Sequence, residues 1–445
     1  MQRREFLKTL GFVSAGATLS QLGMLRAHAQ ASDDYKALVC VFLYGGNDGN
    51  NTIVPIDGRY DAYANLRGSL ALSAQTLIPL PDVSGNVAYG LHPALAPLKN
   101  AWMNGHLSVL LNTGPMLRPV TRAELREGQG RPAGLFSHAD QQQAWQIAAG
   151  SKESYGWGGR IADELRALNH GAKSSTVTAI ARDAAFTNRR TGGALVLPAS
   201  GGLNLRGSDS STTAKARNAA LERMLVMDKN FELIAAAQDV TGDALARRAA
   251  INSIVNASST RVTNAFRGQS SALARQLDTV AKLIERQSDL GLRRQVFFVG
   301  FGGFDTHSGQ LATQSGLLSQ LGAALKSFYD ATVAMGIEDK VTTFTLSDFA
   351  RTMRTNTVGG TDHAWGNHHL IVGGAVSGRT LYGELPQHIA GGPDDAGDDG
   401  RWIPTTSVDQ YAATLARWFG VGEARLTSVF PSLKNFSTGA LSFMG

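Results

Sequence analysis

The 445-residue sequence predicts an α/β fold, a mainly parallel sheet covered by helices on both faces. Two observations carry this expectation. Six short runs rich in β-branched residues are almost continuously apolar, as strands are when both faces are buried. Segments with helical periodicity lie between them, and strand–helix alternation over this length requires parallel crossovers.

In chain order the runs are ALVCVFLYGG (37–46), LSVLLNTG (107–114), STVTAIA (175–181), QVFFVGFGG (295–303), VTTFTLSD (341–348) and HLIVGGAV (369–376). The helical patterns cover 92–104, 157–169, 311–336 and 408–420. Residues 212–290 break the alternation. They are rich in Ala, Leu, Arg and Gln, carry no strand signal, and read as a helical insertion within one domain spanning 30–445. Residues 390–402 form a Gly/Asp-rich loop, and no internal repeat is apparent.

The first 29 residues read as an export signal. Arg3 and Arg4 form a twin-arginine pattern, a mildly apolar stretch runs from Leu10 to Leu25, and Ala27-His28-Ala29 offers a cleavage site. The apolar stretch contains three glycines and is too weak for a stable membrane anchor. The expected location is therefore periplasmic or secreted, reached through the twin-arginine machinery. The whole chain has formal charge +6, and removing residues 1–29 takes away four basic side chains and one acidic, leaving +3. That charge is too small and dispersed for nucleic acid. A single cysteine, Cys40, excludes an internal disulfide and sits in an apolar run as a core thiol would.

Ligands of such sheets bind at the carboxyl ends of the strands. Just past those ends stand Asn47-Asp48-Gly49-Asn50-Asn51-Thr52, Asp305-Thr306-His307 and Asp348. Asp362, His363, His368 and His369 follow within one short segment. An aspartate in such a place also suits a helix N-cap, but carboxylates and imidazoles gathered on one rim point to divalent metal. Mixed ligands of this kind suit zinc, manganese or iron, with calcium a further choice. One or two ions per chain are expected, and two would form a clamp for a phosphoryl or sulfuryl group. The candidate ligands are Asp48, Asp305, His307, Asp348, His363 and His369, with Asp362 a seventh. Residues 368 and 369 face opposite ways in an extended chain, so one of them is expected to lie outside the site.

The leader, LYGGNDGNNTIVP, LHPALAPL, GGFDTHSGQ, TLSDFARTMRTN and GGTDHAWGNHHLIVGGAV together resemble a large family of exported bacterial proteins grouped with the alkaline phosphatase/sulfatase superfamily. The resemblance covers nearly the whole chain. It implies metal ligands at strand ends and a nucleophile opening a helix. Asp48 resembles the first metal-binding aspartate of that superfamily. Asp305 and His307 resemble an aspartate/histidine pair, although only one residue separates them here. Asp348 resembles the strand-end aspartate of sulfatases, with Phe349 where a second ligand would stand, a role His363 is then expected to take. His369 resembles the late histidine. The order of segments places Ser137 at the nucleophile position, with Thr52 the competing hydroxyl, while the pattern needed to make formylglycine is absent. Asn47, Asn50, Asn51 and His138 are expected to donate hydrogen bonds to an anionic substrate, and Arg351 to act as an electrostatic clamp. The implied activity is hydrolysis of a phosphate or sulfate ester of a small molecule or glycan. The alternatives are hydrolysis of another bond at the same centre, or a binding or assembly protein that keeps the fold and one metal.

Overall fold

The computed structural model describes residues 34–148, 154–204, 211–227 and 231–445. The expected leader, residues 1–29, lies outside them. Nine strands form the main sheet: β1 (Lys36–Tyr44), β2 (Leu107–Gly114), β3 (Val177–Ile180), β4 (Leu195–Leu197), β5 (Arg294–Gly302), β6 (Val341–Ser347), β7 (Asn367–Val372), β8 (Leu381–Tyr382) and β9 (Thr406–Ser407). Their spatial order is β8-β2-β7-β6-β1-β5-β3-β4, with β9 added beside β2. All pairings are parallel except those of β7, which runs antiparallel to both β2 and β6.

The central strand shows why this sheet is covered twice. Ala37, Val39, Val41 and Leu43 enter one apolar core, and Leu38, Cys40 and Phe42 enter the other. Successive side chains point to opposite faces, so a strand with no polar residue in its middle needs a layer on each side. α6 (Ala272–Glu285) and α7 (Gln310–Met335) cover the first face. α1 (His138–Ile147), α2 (Trp157–Glu164) and α8 (Val408–Phe419) cover the second. Cys40 is buried, and that burial pushes its thiol pKa well up.

Between β4 and β5 the chain forms α3 (Thr212–Met224), α4 (Glu232–Val255), α5 (Thr260–Ala265) and α6. The end of this segment is not an addition to the fold. Leu273, Leu277, Val280 and Ile284 of α6 are fully buried against the sheet, as in any parallel crossover. No helix among the described residues is long and apolar enough to cross a membrane.

Candidate metal-binding site

β1, β5 and β6 are parallel neighbours, so the segments after Tyr44, Gly302 and Ser347 emerge at one end of the sheet. β7 runs the other way, and the segment leading into it, with Asp362 and His363, starts at that same end. There residues 350–352 and 362–364 pair through Ala364 N to Ala350 O, 2.8 Å, and Thr352 N to Asp362 O, 2.9 Å. Gly45 has φ of 110°, and a Cβ there would lie 2.4 Å from the Asp305 nitrogen. Only glycine allows the two loops to approach this closely.

Three imidazoles surround the Asp305 carboxylate. His307 Nε2 lies 3.0 Å and His363 Nε2 3.2 Å from Oδ1, and His138 Nε2 lies 3.5 Å from Oδ2. The Nε2 atoms of His307 and His363 are 3.0 Å apart. One ligand atom each from His138, Asp305 and His363 fall within 4.8 Å of one another. Each ring turns its other nitrogen to an oxygen acceptor. His138 Nδ1 is 2.6 Å from buried Asp348 Oδ2, His307 Nδ1 is 3.1 Å from Asp362 Oδ1, and His363 Nδ1 is 2.8 Å from the Phe136 carbonyl oxygen. An imidazole that donates from Nδ1 carries its lone pair on Nε2 when neutral. The Nε2 atoms of His138 and His363 and a carboxylate oxygen of Asp305 lie close enough together to share one cation, with His307 Nε2 beside Asp305 and His363. This donor set fits a divalent metal ion, and the Nδ1 partners are the supports that hold metal-binding rings in orientation.

Arg351 is fully buried and joins the loops together. Its guanidinium donates to the carbonyl oxygens of Gly45, Gly46, Phe304 and Thr361, and contacts Asp305 Oδ1. Burial works to raise the Asp305 pKa, but the hydrogen bond and charge of Arg351, aided by His307 and His138, bring it below its ordinary value. Burial lowers the His363 pKa, and the nearby positive charge of Arg351 acts the same way. Both shifts favour the unprotonated forms that bind metal.

Thus Asp305, His307, Asp348, Asp362, His363 and His138 come together as a cluster, with Asp348 and Asp362 behind the rings. Other expectations are corrected. Asp48 is fully buried, its carboxylate held by Arg67, Gln310 and the Asn50 N–H, so it caps the short helix Gly49–Thr52 instead of joining the cluster. Thr52, the competing hydroxyl, donates to the Asp48 carbonyl at 2.7 Å and is buried outside the cluster. Asn47, Asn50 and Asn51 are also buried, bonded to Thr52, to the Arg351 carbonyl, and to Leu70, Tyr63 and Arg67. They brace the loop and are not free to grip an anion. Arg351, expected as a clamp on the substrate, is instead turned inward and holds Asp305 in position.

Both late histidines lie inside β7 and outside the cluster. His369 packs between Trp145 and Tyr411, and His368 accepts the Asn112 N–H at 2.9 Å. Burial lowers both pKa values to about 3. Ser137 is the N-cap of α1, its hydroxyl 3.5 Å from the Asp140 nitrogen. It stands between Phe136 and His138, both of which touch the cluster.

His138, expected as a donor to an anion, is found among the imidazoles of the cluster. Its place opening a helix beside the candidate nucleophile was the available signal. Phe136 was not foreseen at all. Its carbonyl reaches His363 only because the residue adopts φ of 79°, a costly conformation for an aromatic side chain and one that often marks functional loops. Arg401 and Arg131 lie over its ring, and Arg401 also donates to the His363 carbonyl at 2.8 Å.

Residues 35–421 match the family described as "Protein of unknown function (DUF1501)". The chain belongs to this family. No curated protein matches it. Among solved structures, the lipoteichoic acid synthase LtaP from Listeria monocytogenes aligns over 92% of this chain and 78% of its own, at 9% identity and a TM-score of 0.36. The PsFucS1 sulfatase from Pseudoalteromonas sp. aligns over 91% and 71%, at 11% identity and a TM-score of 0.33. Ps i-CgsB in complex with k-i-k-neocarrahexaose aligns over 90% and 77%, at 12% identity and a TM-score of 0.31. At such TM-scores the likeness carries no weight for chemistry, which has to come from this chain's own side chains.

Proposed function

We propose that this chain is an exported, metal-dependent hydrolase of anionic esters, phosphate or sulfate, borne on a small molecule or glycan. The observation that supports it is the set of three imidazoles, each with Nδ1 at hydrogen-bonding distance from an oxygen and Nε2 beside the Asp305 carboxylate. Asp305, His138, His307 and His363 would hold one ion. Three imidazoles and a carboxylate suit zinc before manganese, and calcium least, because calcium prefers roughly six to eight oxygen ligands. A bound divalent ion would supply Lewis acidity toward the ester oxygens.

The chain's own residues would do the rest. Ser137 opens α1, where free N–H groups and the helix dipole favour an anion, and its hydroxyl is the nucleophile we assign. Its cap contact is long at 3.5 Å, so the hydroxyl can turn away at little cost. Arg401 and Arg131, both over the Phe136 ring, put positive charge near the site. Export rests on the twin-arginine pattern of residues 1–29.

The test begins with the full chain expressed in its own bacterial setting and recovered from the periplasm. It is analysed for metal and assayed on a panel of phosphate and sulfate esters. The expected result is about one equivalent of metal, turnover of at least one ester class, and loss of turnover in Ser137→Ala with metal retained. Metal and turnover both intact in Ser137→Ala would sink the serine and leave water as the attacking group. Bound metal without turnover on any ester would favour a binding protein. A chain confined to the cytoplasm would refute export.

A further inference from the structure

α4 exposes apolar and charged side chains together along its first half, and only its far end is packed into the protein core. Ile251, Ile254 and Val255 are buried in the core beside α6. The first half of the helix projects with α3 as a hairpin, joined by Gln238 Nε2 donating to the Met224 carbonyl at 2.7 Å. Of sixteen large apolar side chains exposed among the described residues, seven fall between 224 and 240. Leu233 is 84% exposed, Val226 73% and Val240 71%. Along α4, Leu233, Ala237, Val240 and Ala244 are all exposed at the four-three-four spacing of a helix-packing seam. Isolated exposed apolar residues need no explanation, but a contiguous strip of this kind marks an interaction surface.

The charges on the same hairpin select the occupant. α3 carries three basic residues, Lys215, Arg217 and Arg223, against one acidic, Glu222. Residues 232–243 of α4 carry three acidic residues, Glu232, Asp239 and Asp243, and no basic one. None of the three basic side chains has a carboxylate within salt-bridge distance among the described residues. We propose that this hairpin is a homodimer interface. A second copy related by a two-fold axis would lay its basic α3 along the acidic half of this α4, and receive the same contact in return. Such self-complementarity is what a two-fold interface requires.

Sedimentation of the full chain over a wide concentration range is the test. The wild type is expected to show a monomer–dimer equilibrium. Leu233→Glu with Val240→Glu is expected to weaken it by at least about tenfold, without changing the circular dichroism melt, since both side chains are exposed. Reversing α3 (Lys215→Glu, Arg217→Glu, Arg223→Glu) is expected to abolish the dimer. Reversing α4 as well (Glu232→Lys, Asp239→Lys, Asp243→Lys) is expected to restore it. A wild type that stays monomeric throughout overturns the proposal. So does a dimer indifferent to Leu233→Glu/Val240→Glu, or a monomer that co-floats with vesicles containing anionic lipid.

Discussion

Asp348 is a buried carboxylate whose Oδ2 receives His138 Nδ1 at 2.6 Å and Gln142 Nε2 at 2.8 Å, while Oδ1 has no hydrogen-bond partner. Its hydrogen bonds with His138 and Gln142 hold it in place behind the His138 ring. Replacing it by asparagine preserves the shape and an oxygen to accept the His138 N–H, but removes the charge that makes the imidazole a stronger ligand. Asp348→Asn is therefore expected to weaken metal binding by about 10- to 100-fold, read by competition with a chelating dye. The metal-free protein should melt no lower than wild type, because a buried charge has gone. Unchanged metal affinity would show that His138 lies outside the coordination sphere.

At the scale of elements, the cluster depends on how closely two loops approach. A Cβ on Gly360 would lie 2.1 Å from the His307 carbonyl carbon and 2.2 Å from its oxygen. Both contacts are with backbone, so no side chain can swing aside, and either the loop bearing His307 or the one bearing His363 must move. Gly360→Ala is expected to lose metal binding without altering any ligand, while the sheet and its far-ultraviolet dichroism persist. Retained metal would mean the loops tolerate a shift that their hydrogen bonds argue against. The same element-scale view shows what the sequence could reveal. The six apolar runs became β1, β2, β3, β5, β6 and β7 to within a few residues, because uninterrupted burial on two faces leaves a strong local pattern. The gathering of Asp305, His307 and His363 was legible because each lies within a few residues of a strand end. Asp48 stands at one too, yet it is neutralised by Arg67, and nothing in the residues between them announces that pairing. The direction of β7 was equally hidden. An apolar run has no arrow, and only the antiparallel pairing places His363 at the rim while burying His368 and His369 within the sheet.

For the molecule as a whole, the two histidines buried in β7 carry a consequence for stability. His368 and His369 are 4% and 1% exposed, and burial holds each pKa near 3 against 6.5 for a free imidazole. Above pH 6.5 both rings are neutral in the folded and the unfolded chain, and no penalty arises. As pH falls below that value, the unfolded chain takes up two protons that the native core refuses. Each histidine then removes up to about 1.4 kcal/mol of stability per pH unit, and the loss ends only below the folded pKa. By about pH 5 the pair costs roughly 4 kcal/mol, a large part of what an ordinary domain has to lose. The melting temperature of chelator-treated protein should therefore fall steadily between neutral pH and about pH 5. Removing metal beforehand ensures that ligand protonation at the rim contributes nothing through metal release. His369→Phe keeps a ring beside Trp145 and Tyr411, eliminates a buried Nε2 that has no hydrogen-bond partner, and cannot titrate. Its melting temperature should decline with acid more gently than wild type, whatever its absolute value at neutral pH. If the two curves run parallel, His369 takes up its proton in the folded state, and the acid sensitivity originates elsewhere.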